Sequence, residues 1–336
     1  MSNFELPVTG KIPARPGKDH PLTVIFSFLS RADSTPLDQR RRAEGHMFDA
    51  EGHVIADPAA DPAANAFESD PNLNFEKWGE YWRKVHGVRF VHAEEADDRS
   101  LERLLRYDQI HRIAAGPSSL APLPYDVPLD GNGRLFPTII GHIPPYQRPR
   151  WDGVAYLNFE TAEDIAAVLA NERVRTKILP EDQTIFRDIA PVLARQFILL
   201  PSPSGKEAIS LVMTHVRRSD LDRETFQRRW LNEHADLVLA QPDTRRLVQR
   251  YVQLHNIGPT VEGEPFFHPE TSRIDGVTLM GFASMNDVEE FLQTGGYVAI
   301  IESERALSVP DAGEYWAALN FGIVNRIHAE IATRRT

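Results

Sequence analysis

The chain contains no cysteine. That excludes disulfides, thiolate metal sites, iron–sulfur clusters and cysteine nucleophiles. It has no apolar run near the roughly 18 residues of a membrane span. The N-terminal stretch MSNFELPVTGKIPARPGKDHP also lacks the apolar core of a secretion signal. Basic charge is scarce: 37 Lys and Arg stand against 48 Asp and Glu, a net charge of −11. Nucleic acids and anionic membranes both call for a basic footprint, so neither is an expected partner. Gly-x-Ser-x-Gly, the phosphate-binding loop with Gly-Lys-Ser/Thr, Gly-x-Gly-x-x-Gly and His-Glu-x-x-His are all missing. A cytoplasmic protein with an ordinary globular balance, 42% hydrophobic and 25% charged residues, is expected.

What the sequence does contain is an internal repeat. RYDQIHRI at 106–113 and RYVQLHNI at 250–257 agree at five of eight positions. Upstream, Trp82-x-x-x-His86 recurs as Trp230-x-x-x-His234, each with an aromatic residue four positions earlier, Trp78 and Phe226. Downstream, Asp152-Gly153-Val154 recurs as Asp275-Gly276-Val277. The first strands also match in type, LTVIFSFLSRAD at 22–33 and ISLVMTHVRRSD at 209–220. The first copy is longer, with insertions near 35–73 and 116–150 that are rich in turn-formers; unstructured loops of that length are usually lids, arms or binding loops.

The second copy shows the unit most plainly. Strands are expected at 209–216, 247–257, 276–283 and 318–327, with helices at 220–241 and 286–293, the latter stopped by Gly295-Gly296. The order βαββαβ is the ferredoxin-like unit. The expected class is therefore α+β: two ferredoxin-like repeats packed sheet to sheet as a pseudo-dimeric α/β barrel. The expected divisions are an arm at 1–20, a first repeat at 21–205 and a second at 206–336.

Strand residues alternate faces. Tyr107, Gln109 and His111 share one face, as do Tyr251, Gln253 and His255, while Ile110, Val252 and Leu254 lie on the other. With the apolar face assigned to the helices, the Tyr-Gln-His face is expected to line the barrel interior and a small-molecule cavity there.

FQRRWLNEHADLV followed by LVQRYVQLHNIGP resembles the EthD-like family of the dimeric α+β barrel superfamily, and WGEYWRKVHGVRF followed by LLRYDQIHRIAAGP resembles the same pattern. The resemblance implies a barrel of two ferredoxin-like units, usually from two chains. It implies varied uses: polyketide cyclases, dehydratases, muconolactone isomerases, cofactor-free monooxygenases and, more distantly, haem proteins. Roles for a helix His and a second-strand Tyr would fall on His86 with Tyr107 and on His234 with Tyr251.

The expectation for function is a cofactor-independent enzyme of lyase or isomerase type, with cofactor-free oxygenation as a variant. It would act on an aromatic or polyketide-like molecule by proton transfer. His234, His86, Tyr251 and Tyr107 are the candidate catalytic residues. His255, His111, His215, Gln253, Gln109, Trp230 and Trp82 are the candidate substrate contacts. His215 falls where the first copy aligns Phe28, an asymmetry that points to a site nearer the second copy. No metal site is expected: Glu44-Gly45-His46 and Glu51-Gly52-His53 match no standard ligand spacing. His268, in GEPFFHPE, reads as a loop residue, with reach over a cavity mouth as the alternative. The alternatives are a haem protein with a cavity His as axial ligand and a non-catalytic ligand-binding accessory to an oxygenase. A monomer closed by its internal repeat and a homodimer both remain compatible with the sequence.

Overall fold

The computed structural model describes residues 15–31, 50–53, 75–91, 98–113, 151–205, 207–327 and 329–335. Most of both insertions, including Arg40, Glu44, His46 and Arg148, lies outside them. The fold is mixed α/β, built on a closed barrel of eight antiparallel strands. In the first half these are β1 (Leu22–Arg31), β2 (Arg106–Arg112), β3 (Gly153–Phe159) and β4 (Phe186–Leu200). In the second half they are β5 (Ile209–His215), β6 (Arg250–Asn256), β7 (Gly276–Phe282) and β8 (Tyr315–Asn325). Around the barrel the order is β1-β3-β2-β8-β5-β7-β6-β4, so each half reads fourth, first, third, second strand. The halves join where β2 meets β8 and β4 meets β6.

Helices cover the outside. The first half has α1 (Phe75–Tyr81), continued by a π-turn at Trp82–His86, then α2 (Ala162–Leu169) and α3 (Leu179–Ile185). The second half has α4 (Arg223–Arg229), a π-turn at Trp230–His234, α5 (Ala235–Ala240), α6 (Pro242–Leu247), α7 (Met285–Leu292) and α8 (Gly295–Arg305). Gly295 and Gly296 therefore begin a helix that the sequence pattern missed. Thr294, whose hydroxyl accepts from the Tyr297 N–H, is its N-cap. Among the described residues no helix is long and apolar enough to cross a membrane.

The facing of β2 and β6 is the reverse of the expectation. Ile110, Val252 and Leu254 pack inside the barrel with Phe26, Phe28, Val154, Val192, Val277 and Trp316. The Tyr-Gln-His faces look outward at the helices. Gln109 Nε2 donates to Trp82 O (2.9 Å) and Gln253 Nε2 to Trp230 O (3.0 Å). His111 stacks on Trp82 at 4.5 Å and His255 on Trp230 at 4.9 Å. Every residue of both strands is buried, so both faces are covered and neither had to be uniformly apolar. The inside tolerates charge because Arg106 and Asp108 pair with each other and Glu330 enters to pair with Arg106 and Arg250.

The repeated motif is thus a lock between helix and sheet. A π-turn widens the helix and frees carbonyl geometry, and the strand Gln fills that gap. Gly87 makes room in the first half: a Cβ there would sit 2.6 Å from Gln109 Nε2.

A cavity between helices and sheet in the first half

A cavity of about 120 Å³ lies between the outer face of the first half's sheet and its helices. Its walls are Ile25, Ser27 and Leu29 of β1, Ala155 and Leu157 of β3, and Trp82, His86, Val174, Ile178 and Phe186 around them. The polar groups reaching it are Ser27, His86, Tyr107, Asp182 and Gln183.

The π-turn and the start of α3 bring His86 between two neighbouring carboxylates. His86 Nδ1 is 2.8 Å from Glu181 Oε2, and His86 Nε2 is 3.2 Å from Asp182 Oδ1. The two acids behave oppositely. Burial would raise Glu181, but hydrogen bonds with His86, Tyr81 and Arg89 overcome it and hold the carboxyl at about 2. Burial dominates at Asp182; helped by the charge of Glu181 and opposed by His86, it pushes that carboxyl up to about 7. Asp182 keeps 17% of its side chain accessible and is among the residues that line the cavity.

Tyr107 completes the polar edge. Its oxygen accepts from Trp82 Nε1 (3.1 Å) and Gln109 Nε2 (2.9 Å), so both incoming bonds use lone pairs and the phenolic proton remains to be donated. Burial holds the phenol well above its ordinary range, hence protonated.

Of the residues singled out in the sequence, Trp82, His86 and Tyr107 line this cavity, while Gln109 and His111 stand behind Trp82. Burial lowers His111 to about 3, with the charge of Arg83 adding to it, which keeps the ring neutral. His234, Tyr251, Trp230, Gln253, His255 and His215 form the matching set in the second half, away from the cavity. His234 Nδ1 contacts Ser303 Oγ at 3.1 Å, and burial lowers it to about 4. Tyr251 accepts from Gln253 Nε2 at 2.7 Å, and burial lowers His255 to about 3. His215 lies opposite Gly276 as Leu29 lies opposite Gly153, so its counterpart is Leu29, not Phe28. His215 Nδ1 pairs with Glu304 at 2.5 Å and Nε2 meets Thr278 Oγ1 at 2.9 Å. His268 is buried, with Nε2 3.2 Å from Asp188 Oδ1.

Sequence reasoning missed Asp182, Glu181, Gln183, Ser27 and Phe266. A faint signal existed for the acid: ILPED at 178–182 corresponds to IIESE at 300–304, which aligns Asp182 with Glu304. The partners agree, since the helix His bonds residue 181 in one half and 303 in the other.

No group of three or more His, Asp or Glu suited to a metal ion occurs among the described residues. A haem does not fit the cavity as it stands. Its volume is about 120 Å³, whereas ordinary ligand pockets span roughly 300–1,000 Å³. His86, which lines it, has both ring nitrogens against carboxylates.

Residues 218–306 match the model of the EthD domain. None of the curated proteins matches the sequence. Among solved structures, a protein from Lactobacillus acidophilus NCFM assigned as a monooxygenase is 10% identical, with a TM-score of 0.44 over 94% of this chain and 100% of the other. An anthrone oxidase-like protein is 11% identical, with a TM-score of 0.45 over 95% and 100%. A mutant chlorite dismutase from Candidatus Nitrospira defluvii is 10% identical, with a TM-score of 0.36 over 90% and 92%. Likenesses this distant identify neither substrate nor cofactor.

Proposed function

We propose that the chain is a cofactor-independent enzyme of isomerase or lyase type, acting on a small aromatic or cyclic ketone in the first-half cavity; the match of residues 218–306 to the EthD domain model supports an enzyme acting on a small molecule. On this reading it is a cytoplasmic protein built from two ferredoxin-like repeats, 21–205 and 206–336. The strand order, fourth-first-third-second in each half, supports that division.

The observation that carries the functional reading is the place of the Asp182 carboxyl, in the wall of an apolar cavity and 3.2 Å from His86 Nε2; burial there pushes it up to about 7. A group titrating near neutrality can both take and return a proton at working pH. Asp182 takes a proton from the carbon beside a ketone. The C–H electron pair becomes the C=C bond of an enolate and the carbonyl π pair moves onto oxygen, where the Tyr107 O–H donates to the developing charge. In a β,γ-unsaturated ketone the pair extends to the γ-carbon, and return of the proton from Asp182 to that carbon completes an isomerisation. In a β-hydroxy ketone the pair expels the hydroxyl, which takes the proton from Asp182 and leaves as water. His86 steadies the ionised form of Asp182, and Glu181, held by Arg89 and Tyr81, fixes the imidazole.

The test is exchange of the α-protons of cyclohexanone in deuterated water, followed by NMR. The wild-type chain should accelerate exchange, and Asp182→Asn should lower that acceleration by about 10²–10⁴. An Asp182→Asn protein that exchanges as fast as wild type would sink the mechanism. Binding of the ketone without any exchange would favour a non-catalytic carrier instead.

A further inference from the structure

One wall of the cavity comes from the opposite half of the barrel. The segment from Ile257 to Asp275, which joins β6 to β7, reaches across to β4 of the first half. Ile257 N donates to Leu193 O at 2.8 Å, Thr271 Oγ1 to Pro191 O at 2.6 Å, and His268 meets Asp188. Between these anchors Phe266 turns its ring onto the cavity lined by Pro191, Ile189 and Leu179. Its backbone is left-handed, φ 64°, which is uncommon for an aromatic residue. That conformation is held by the Phe266 N–H donating to Gly52 O at 2.7 Å. Gly52, at φ 85°, leaves no room beyond the ring: a Cβ there would lie 2.7 Å from it. Strain of about 1–3 kcal/mol persists only where surroundings over-determine it, and it clusters at ligand clamps.

The cavity volume sets the scale. An apolar cavity of roughly 150 Å³ holds one benzene, and this one is about 120 Å³ with Phe266 in place. The described lining contains no Lys or Arg to pair with an anionic ligand, and its one carboxyl is Asp182, so an uncharged ligand fits it best. We propose that Phe266 is the size-determining residue of the site, and that the ligand is an uncharged single-ring compound bearing one ketone or phenol oxygen. This rests on the cavity being the ligand site, but it needs no turnover.

Calorimetric titration of the full chain with phenol, cyclohexanone and 1-naphthol tests it. The wild-type chain should bind both single-ring probes and bind 1-naphthol at least tenfold more weakly than phenol. Phe266→Ala should narrow or invert that ratio by tenfold or more, and Phe266→Trp should weaken phenol. Phe266→Leu, a smaller change, should fall between wild type and Phe266→Ala and serves if the latter does not fold. If 1-naphthol binds wild type as tightly as phenol, or the ratio does not move with residue 266, the size limit is not set there and the proposal falls. If no ring compound binds wild type at all, the cavity reading falls with it.

Discussion

The two halves of the barrel share their lock and differ in what stands beside it. In both, a π-turn Trp stacks on a strand His and a strand Gln caps the π-turn carbonyl. Beside the lock, the first half has Ser27 and Ala155 paired across β1 and β3, where the second has Met213 and Thr278 across β5 and β7. Leu157 corresponds to Met280, and Leu29 to His215. The second half therefore fills with side chains the space that the first half leaves open, and Leu211, Met213, Tyr251, Tyr297 and Ile300 form one buried cluster there. The acids diverge in step. Burial would raise both Glu304 and Asp182. At Glu304 the His215 imidazole at 2.5 Å, aided by the Tyr315 hydroxyl at 2.8 Å, holds the carboxyl below its ordinary range. Asp182 lacks such a partner on β1, where Leu29 stands, and rises instead. The duplicated lock is common to both halves; the unduplicated neighbours Ser27, Ala155 and Leu29, against Met213, Thr278 and His215, leave the first half the space beside His86, Tyr107 and Asp182.

The sharpest way to break this comparison is to cut the same histidine from each half. His86→Ala should lower cyclohexanone exchange by about 10²–10⁴, because Asp182 loses the imidazole that steadies its charge. His234→Ala should leave exchange within twofold of wild type while the protein stays folded. Equal losses in both variants, or a loss only at His234, would mean the chemistry does not follow the open cavity.

That asymmetry shows where sequence reading succeeds. The strands of the second copy lie within about three residues of their expected bounds, because β-branched runs bounded by turn residues report local geometry faithfully. The repeat leads to the expectation of a barrel, and the eight strands form a closed one. The direction in which β2 and β6 face did not follow, since a strand covered on both sides has no polar side to read. Trp82, His86 and Tyr107 were visible because they recur. Asp182 was hidden in a seven-residue helix, and its importance depends on bulk at Ser27 and Leu29, more than a hundred residues away in sequence. Phe266 was hidden for the same reason, as it acts on the half to which it does not belong.

Converting one half toward the other gives a smaller, cleaner effect. Ser27→Met places in the first half the side chain that the second half carries at Met213. Overpacking a filled core costs about 1–3 kcal/mol, but here the new side chain enters a cavity, so thermal stability should change little. Phenol affinity should fall tenfold or more by calorimetry. A large loss of stability with binding intact would show that position 27 is already packed and the cavity lies elsewhere.

The gentlest probe is proton linkage. The carboxyl of Asp182 stands at about 7 in the fold against an ordinary 3.8, so between those values the folded chain holds a proton that the unfolded chain has released. Its contribution is therefore complete below about pH 4 and is lost as pH rises toward 7, with a slope of at most about 1.4 kcal/mol per pH unit. Glu181, held at about 2 against 4.5, acts in the opposite sense in a separate window: its contribution is present above 4.5 and lost as pH falls toward 2. Asp182→Asn mimics the protonated acid and should remove that downward slope. Buried His111, His234 and His255, held at about 3, 4 and 3 against an ordinary 6.5, act in the opposite sense and make stability rise with pH over much of the same window. The variant's profile should therefore climb more steeply than that of wild type between pH 4 and 6.5, with the acid limb of Glu181 in place. Urea unfolding of both proteins across pH 3 to 8 measures the difference. If the two slopes are equal, Asp182 holds no proton in that window and the open half has no special one.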